Sequence, residues 1–217
     1  GPGGRPADLL QRFEAMQGVE SAAVIKIAWT ARSIRDNLEA FELLRLAQRP
    51  TIALCMGRFG FMSRVLAPKF GGFATFASLG EATAPGQPVL DDLLDRFAMG
   101  RIGQDTVVHG LIGDPVEHSP GHAWHNTTFA DAGHDAIYLP MPVQAGWEHF
   151  KATMCALSDD QHLDFRGASV TIPHKEHLLR WVRAEGGSVD AVCDRVGVAN
   201  TLSIQNGAMA CFNTDVP

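Results

Sequence analysis

An α/β fold in two consecutive parts is predicted by three features of the sequence. Apolar runs of strand length alternate with stretches of helical spacing along the whole chain. A short polar segment at 101–106 interrupts this alternation, which then restarts, and the second part closes on a hairpin signature, Asn206-Gly207.

In the first part, Leu9, Leu10, Phe13 and Met16 recur at helical spacing and stop at Gly18. Residues 22–29 then read as a buried strand. Ile34, Leu38, Phe41 and Leu44 mark a second helix ending before Pro50, and residues 51–55 a second strand. A Gly-rich stretch, a short strand at 73–77 and a helix carrying Leu90, Leu93, Leu94 and Phe97 follow. In the second part, strands are expected at 107–112, 136–143 and 168–171, and helices at 123–132 and 147–157. A further helix at 173–183 is opened by Pro173 in its first turn. Residues 196–204 and 208–212 form the two arms of the hairpin.

The 217 residues are 46% hydrophobic and 19% charged, enough apolar material for one large or two small cores. A net charge of -6 with scattered Lys and Arg argues against a nucleic-acid partner. No apolar run approaches the roughly 18 residues of a transmembrane helix, so no membrane partner is expected. Cys55, Cys155, Cys193 and Cys211 are widely spaced among apolar neighbours without a CxxC pair. They read as free thiols of a reducing, cytoplasmic compartment, organellar targeting of a longer precursor being the alternative. The opening Gly1-Pro2-Gly3-Gly4 and the end at Pro217, just after a strand-like segment, suggest a piece of a longer protein.

Thr171-Ile172-Pro173-His174-Lys175 places a cation in the first turn of a helix, where the macrodipole disfavours it by roughly 0.3–1 kcal/mol. A solvated surface lysine is the bland alternative. Asn200 is the one polar member of an alternating set, Val196, Val198, Asn200, Leu202 and Ile204, and a buried amide needs partners. A ligand hydroxyl would supply them, and so would neighbouring backbone. Asn213-Thr214-Asp215 closes the next strand, which brings an acid to the same sheet edge. His122 and His125, three apart on a helix, invite a metal reading, but no further ligand stands at suitable spacing and no metal is expected.

Together with Gly113-Asp114-Pro115-Val116-Glu117-His118-Ser119, His125-Asn126, Tyr138-Leu139-Pro140, Phe165-Arg166-Gly167 and Gly197-Val198-Ala199-Asn200-Thr201, these segments resemble the shikimate dehydrogenase family. The resemblance implies a substrate-binding domain at 104–217, a mixed-sheet α/β domain. It implies NADP-dependent, reversible reduction of 3-dehydroshikimate to shikimate. Lys175 would be the acid/base lysine and Asp215 its partner; Thr171 and Asn200 would hold ring hydroxyls, and Ser119 the carboxylate. The family has a Ser-x-Ser pair where this chain reads Ser119-Pro120-Gly121, so one hydroxyl is missing at Gly121. Quinate, which carries an extra hydroxyl near its acid group, therefore becomes a rival substrate.

In the first part, Lys26 interrupts the apolar run 22–29 on a face with Val24 and Ala28. An ammonium buried there would have to lose its proton readily, which is how an amine becomes an imine-forming nucleophile. A lysine with a buried stem and solvated head is the alternative. Met62-Ser63-Arg64, Phe73-Ala74-Thr75-Phe76 and Ala82-Thr83-Ala84-Pro85-Gly86-Gln87 follow at spacings that resemble type I 3-dehydroquinate dehydratase. The resemblance implies that residues 1–103 are the last strands of a (β/α)₈ barrel, a partial barrel segment of a fold that runs to roughly 250 residues. Lys26 would be the Schiff-base lysine, Arg64 the carboxylate ligand, and Thr83 and Gln87 further substrate contacts.

Two successive pathway steps on one chain imply a bifunctional parent. The sequence has no Gly-rich nucleotide fingerprint after Asp215, so NADP is expected to bind outside these residues and the isolated chain to be inactive. An open barrel segment exposes apolar surface and predicts a homodimer or instability. The alternative function is a non-catalytic shikimate-binding or scaffold protein.

Overall fold

The computed structural model describes residues 4–81 and 84–215. The chain divides into two compact units, one running to Thr106 and including Asn126–Asp135, the other comprising Val107–His125 and the chain from Ala136 onward.

The first unit begins with helix α1 (Leu9–Gln17), which buries Leu9 and Phe13 and ends at Gly18. Strand β1 (Ile25–Thr30), helix α2 (Asp36–Leu46) and strand β2 (Thr51–Met56) then form a β-α-β unit whose strands pair in parallel, Lys26 opposite Ile52. A short helix α3 (Phe61–Val65) follows. The expected strand at 73–77 is not formed. Phe73 donates once to the Thr51 carbonyl (2.9 Å), and Ser78 and Val89 make an isolated bridge. A strand requires a continuous ladder, and one bond beyond Gly71-Gly72 does not start one. The last expected helix closes in a π turn, Asp92–Arg96.

The second unit holds strands β3 (Val107–Gly113), β4 (Ala136–Pro142), β5 (Phe165–Val170), β6 (Ser188–Val189), β7 (Thr201–Gln205) and β8 (Ala208–Phe212). They form one mixed sheet in the order β4-β3-β5-β7-β8-β6. Strand β3 pairs in parallel with β4 and β5, whereas β7 runs antiparallel to β5 and β8. Helices α5 (Trp147–Asp159), α6 (Lys175–Ala184) and α7 (Ala191–Val196) complete it, and α4 (Gly121–Asp131) begins in this unit, its residues from Asn126 on belonging to the first. One face of the central strands, with Val108, Ile112, Ile137, Leu139, Met141, Ala168 and Val170, is buried throughout. Strand β4 is buried on both faces from Ile137 on, which explains why it reads as an apolar run.

Two expectations need correction here. Val196 ends α7 rather than starting a strand, because Asp190 caps that helix, accepting from the Val192 amide (3.2 Å), and Gly197 (φ 79°) terminates it in the left-handed region. The alternating set from Val196 to Ile204 is therefore not one strand face; only its members from Leu202 onward lie in β7. Pro173 stands outside α6, whose N-cap is His174 and whose first residue is Lys175. The turn itself is as expected: Asn206 (φ 51°) and Gly207 (φ 79°) both take the positive φ that a two-residue hairpin loop requires.

Candidate active sites

The topology of the second unit gathers four segments at one end of its sheet. Strands β3 and β5 end side by side, so the loop after Gly113 and the turn after Val170 leave the sheet together. Because β7 is antiparallel to β5, its beginning lies there as well: Val170 N donates to Asn200 O (2.7 Å). Strand β8 returns to the same place, Asn200 N bonding Phe212 O (2.9 Å), and delivers Asn213-Thr214-Asp215. The start of α6 is held against this group by Ala199 N donating to Lys175 O (3.1 Å).

Local bonds set each side chain. Thr171 N donates to Ile112 O (2.8 Å), Asp114 N to Ile172 O (3.0 Å), and His174 N to Thr171 O (2.9 Å). Gly113 is obligatory, since a Cβ there would meet Thr171 Cγ2 at 2.3 Å and the Ile172 carbonyl at 2.8 Å. Lys175 donates through Nζ to Asp215 Oδ2, and this contact is the main reason that the Asp215 carboxyl is held below its ordinary value. Asp215 N is itself fixed by Asn213 Oδ1 (3.0 Å), whose amide donates to Val198 O (3.1 Å).

Asn200 is buried, and its amide is engaged within the chain: Oδ1 accepts from Thr214 N (3.0 Å) and Thr201 Oγ1 (2.8 Å), and Nδ2 donates to Thr214 Oγ1 (3.1 Å). Its bonds thus serve to place Thr214 beside Asp215. Ser119 accepts from Gly121 N (3.2 Å), which leaves its hydroxyl proton for an outside acceptor. A Cβ at Gly121 would lie 3.3 Å from Ser119 Oγ, so a side chain at 121 would stand directly beside that hydroxyl. His122 is fully buried and bonds Val116 O (2.8 Å), which steadies this loop, and His125 stacks on Tyr138 at 4.2 Å. Among the described residues no cluster of His, Cys, Asp and Glu is arranged to hold a metal ion.

In the first unit, the expectation of a buried Lys26 is corrected. Ile25, Ile27 and Trp29 form the buried face of β1, and Lys26 lies on the other face, exposed, with its ammonium 3.8 Å over the Phe76 ring. The face of the ring attracts the ammonium. Arg64, by contrast, is 2% exposed on α3; burial lowers its affinity for its proton. Its Nη1 reaches Phe76 O at 3.5 Å, and among the described residues its buried Nε has no acceptor. Phe76 therefore stands between the two cations. Ser63 anchors α3 by accepting from Cys55 N (2.9 Å) and donating to Gly60 O (2.7 Å). Gly57 N bonds Pro85 O (2.9 Å) and Gln87 N bonds Ala84 O (3.1 Å), stitching the segment that carries Gln87 to the end of β2. Thr83 lies outside the described residues.

Two family models match this chain: type I 3-dehydroquinase over residues 2–103, and the shikimate dehydrogenase substrate binding domain over residues 111–202. The two matched segments stand in tandem, one family following the other along the chain. Lys26, Arg64, Thr83 and Gln87 lie in the dehydroquinase match, and Ser119, Gly121, Thr171, Lys175 and Asn200 in the shikimate dehydrogenase match. Asp215 falls just beyond it.

Among curated relatives, the bifunctional 3-dehydroquinate dehydratase/shikimate dehydrogenase of Arabidopsis thaliana, described as chloroplastic, is 39% identical over 89% of this chain and 31% of its own length. The shikimate biosynthesis protein AroDE of Chlamydia pneumoniae is 32% identical over 89% of this chain and 39% of its own. The NADP(+) shikimate dehydrogenase of Moorella thermoacetica is 35% identical, over 54% of this chain and 37% of its own. The chain thus spans about a third of the length of the relatives it matches.

Two features of the candidate site in the second unit are not marked by the motifs above. One is the closed bonding of Asn200 with Thr214. The other is His174, within a motif read only for its lysine; the available signal was a histidine at the N-cap, where Ser, Thr, Asp or Asn are preferred.

Proposed function

We propose that this chain carries the substrate-binding half of a shikimate dehydrogenase, acting in a longer protein that reversibly reduces 3-dehydroshikimate to shikimate with NADP and also dehydrates 3-dehydroquinate. The Lys175–Asp215 contact, with Thr171 and Asn200 beside it, is the observation that carries this reading. A carbonyl that gains a hydride becomes an alkoxide and needs a positioned proton donor. Lys175 supplies that proton from Nζ, and Asp215 orients it. Thr171 faces the ring hydroxyls, Asn200 holds the Thr214-Asp215 segment in place, and Ser119 donates to the acid group.

These residues do not fit NADP. The turn after β3 has the place of a Cβ at Gly113 filled by Thr171, which leaves no cradle for a pyrophosphate, and the sequence has no Gly-x-Gly-x-x-Gly turn. When bound elsewhere in the longer protein, NADP supplies the hydride.

In the first unit, Arg64 is suited to a substrate carboxylate, since a buried guanidinium with an unanswered Nε–H favours an anion. Lys26 is the candidate imine-forming amine, and Gln87 and Thr83 are further contacts.

The test is titration of the 217-residue chain with shikimate, followed by calorimetry or by amide shifts in NMR. Binding is expected, with Lys175→Ala weakening it at least about ten-fold, the loss of one charge-assisted bond. Wild-type chain that ignores shikimate, or a variant that binds it equally well, overturns the assignment. Quinate is the second candidate acid, favoured by the single hydroxyl at Ser119 and the missing side chain at Gly121.

A further inference from the structure

We propose that His174 is a positioning residue for Lys175, held in a single tautomer between the Val143 carbonyl and His177; this rests on reading Lys175 as the acid/base group for shikimate. Helix α6 opens in a way that helical stability does not explain. Its N-cap is a histidine that makes no side-chain capping bond, and its first residue is a cation at the positive end of the helix dipole. The His174 ring is nevertheless fully buried. Its Nε2 lies 2.9 Å from Val143 O, 31 residues away at the end of β4, and its Nδ1 lies 3.0 Å from His177 Nδ1.

The chemistry of these two contacts fixes the protons. A carbonyl oxygen only accepts, so Nε2 of His174 carries hydrogen. Burial keeps the imidazole neutral by lowering its proton affinity, so Nδ1 is a bare lone pair. His177 must then donate through its own Nδ1, the less common tautomer of a free imidazole. A further proton on His174 would place hydrogens on both Nδ1 atoms across 3.0 Å and break the contact. Burial is the main opponent of that proton and outweighs the Val143 carbonyl, which favours it; His177 and His149 disfavour it, Asp114 favours it, and Phe150 packs against the ring at 5.1 Å.

The ring thereby ties the start of α6 to the end of β4. The residues it holds are those of the site: His174 N bonds Thr171 O, and Lys175 follows directly in the chain. Unlike a capping residue, His174 spans two elements and aims the lysine instead of ending a helix.

Long-range proton–nitrogen NMR on the full chain reads the lock. His174 is expected to be protonated on Nε2 alone and His177 on Nδ1; the opposite assignment, or averaging of both rings, overturns the proposal. In binding, His174→Leu, which fills the volume without either bond, is expected to weaken shikimate about ten-fold. His174→Gln, whose amide donates to Val143 O, is expected to recover most of that loss. Wild-type affinity in the leucine variant refutes positioning. Should that variant fail to fold, His177→Phe leaves the Val143 bond and removes only the donor to Nδ1; His174 is expected to stay protonated on Nε2 while its Nδ1 resonance moves to that of an unbonded nitrogen and shikimate binding weakens, and an unchanged Nδ1 resonance refutes the lock. If the wild-type chain does not bind shikimate, the assignment of Lys175 falls while the spectrum still decides the tautomers.

Discussion

At Gly121 and Asn200 the two halves of the acid-binding reading separate. A Cβ at 121 would lie 3.3 Å from Ser119 Oγ, tighter than an ordinary contact, so Ser119 would shift slightly to admit a serine, whose hydroxyl would restore a second donor to the acid group. Gly121→Ser is therefore expected to raise the ratio of shikimate to quinate affinity in the chain, measured by paired titrations; an unchanged ratio removes quinate as an explanation of the glycine. Asn200 was legible as a polar residue needing partners, but which partners was not, because Thr214 lies in a different segment and reaches it only once β7 and β8 pair. Lys26 was misjudged for a related reason. Ile25, Ile27 and Trp29 alternate with Lys26, Ala28 and Thr30, but the apolar run 22–29 around the lysine reads as buried on both faces, and which face is covered depends on packing elsewhere in the chain.

Elements with a local signal were readable. The hairpin turn announced itself through Asn206-Gly207, and α1, α5 and α6 through their apolar spacing. Helix α7 was missed although Asp190 and Gly197 are good start and stop residues, because apolar alternation running on from Val196 masked them. The segment 73–77 looked like a strand and is not one, since pairing belongs to two segments together. Close packing between elements also sets the sharpest structural test. Gly113→Ala forces a methyl against Cγ2 of the stiff, β-branched Thr171 and against the Ile172 backbone carbonyl. A loss of about 1–3 kcal/mol in denaturant unfolding is expected. A midpoint within error of wild type would mean that the β3 and β5 ends are not packed as described.

For the chain as a whole, pH and catalytic completeness are decisive. His109, His125 and His174 all have their proton affinity lowered, in each case chiefly by burial. Their neutral forms favour the fold fully above the usual 6.5, and that contribution is lost as pH falls below it, because the unfolded chain then binds more protons. Asp215, held below the usual 3.8 mainly by Lys175, adds a smaller loss at still lower pH, screened by its exposure. Thermal unfolding is thus expected to fall between about pH 7 and pH 5; a midpoint flat over that range contradicts the burial of these rings. The nine histidines all lie at or after His109, so nothing before Lys26 offers an imidazole for proton transfer in a dehydration. Incubation of the chain with 3-dehydroquinate is expected to yield no product, and measurable turnover would show that the first unit needs no such base.

The return path of the hairpin has a practical consequence. The chain leaves the site at Asn200, runs out along β7, reverses at Asn206-Gly207 and comes back along β8 to Asp215. Five extended residues cover about 16 Å, so the reversal is a remote handle on a lever whose hinge is the binding site. A dye or epitope spliced in there would report on the protein without touching the acid, and a strained or lengthened turn would be felt by Asp215 only through ten ladder residues.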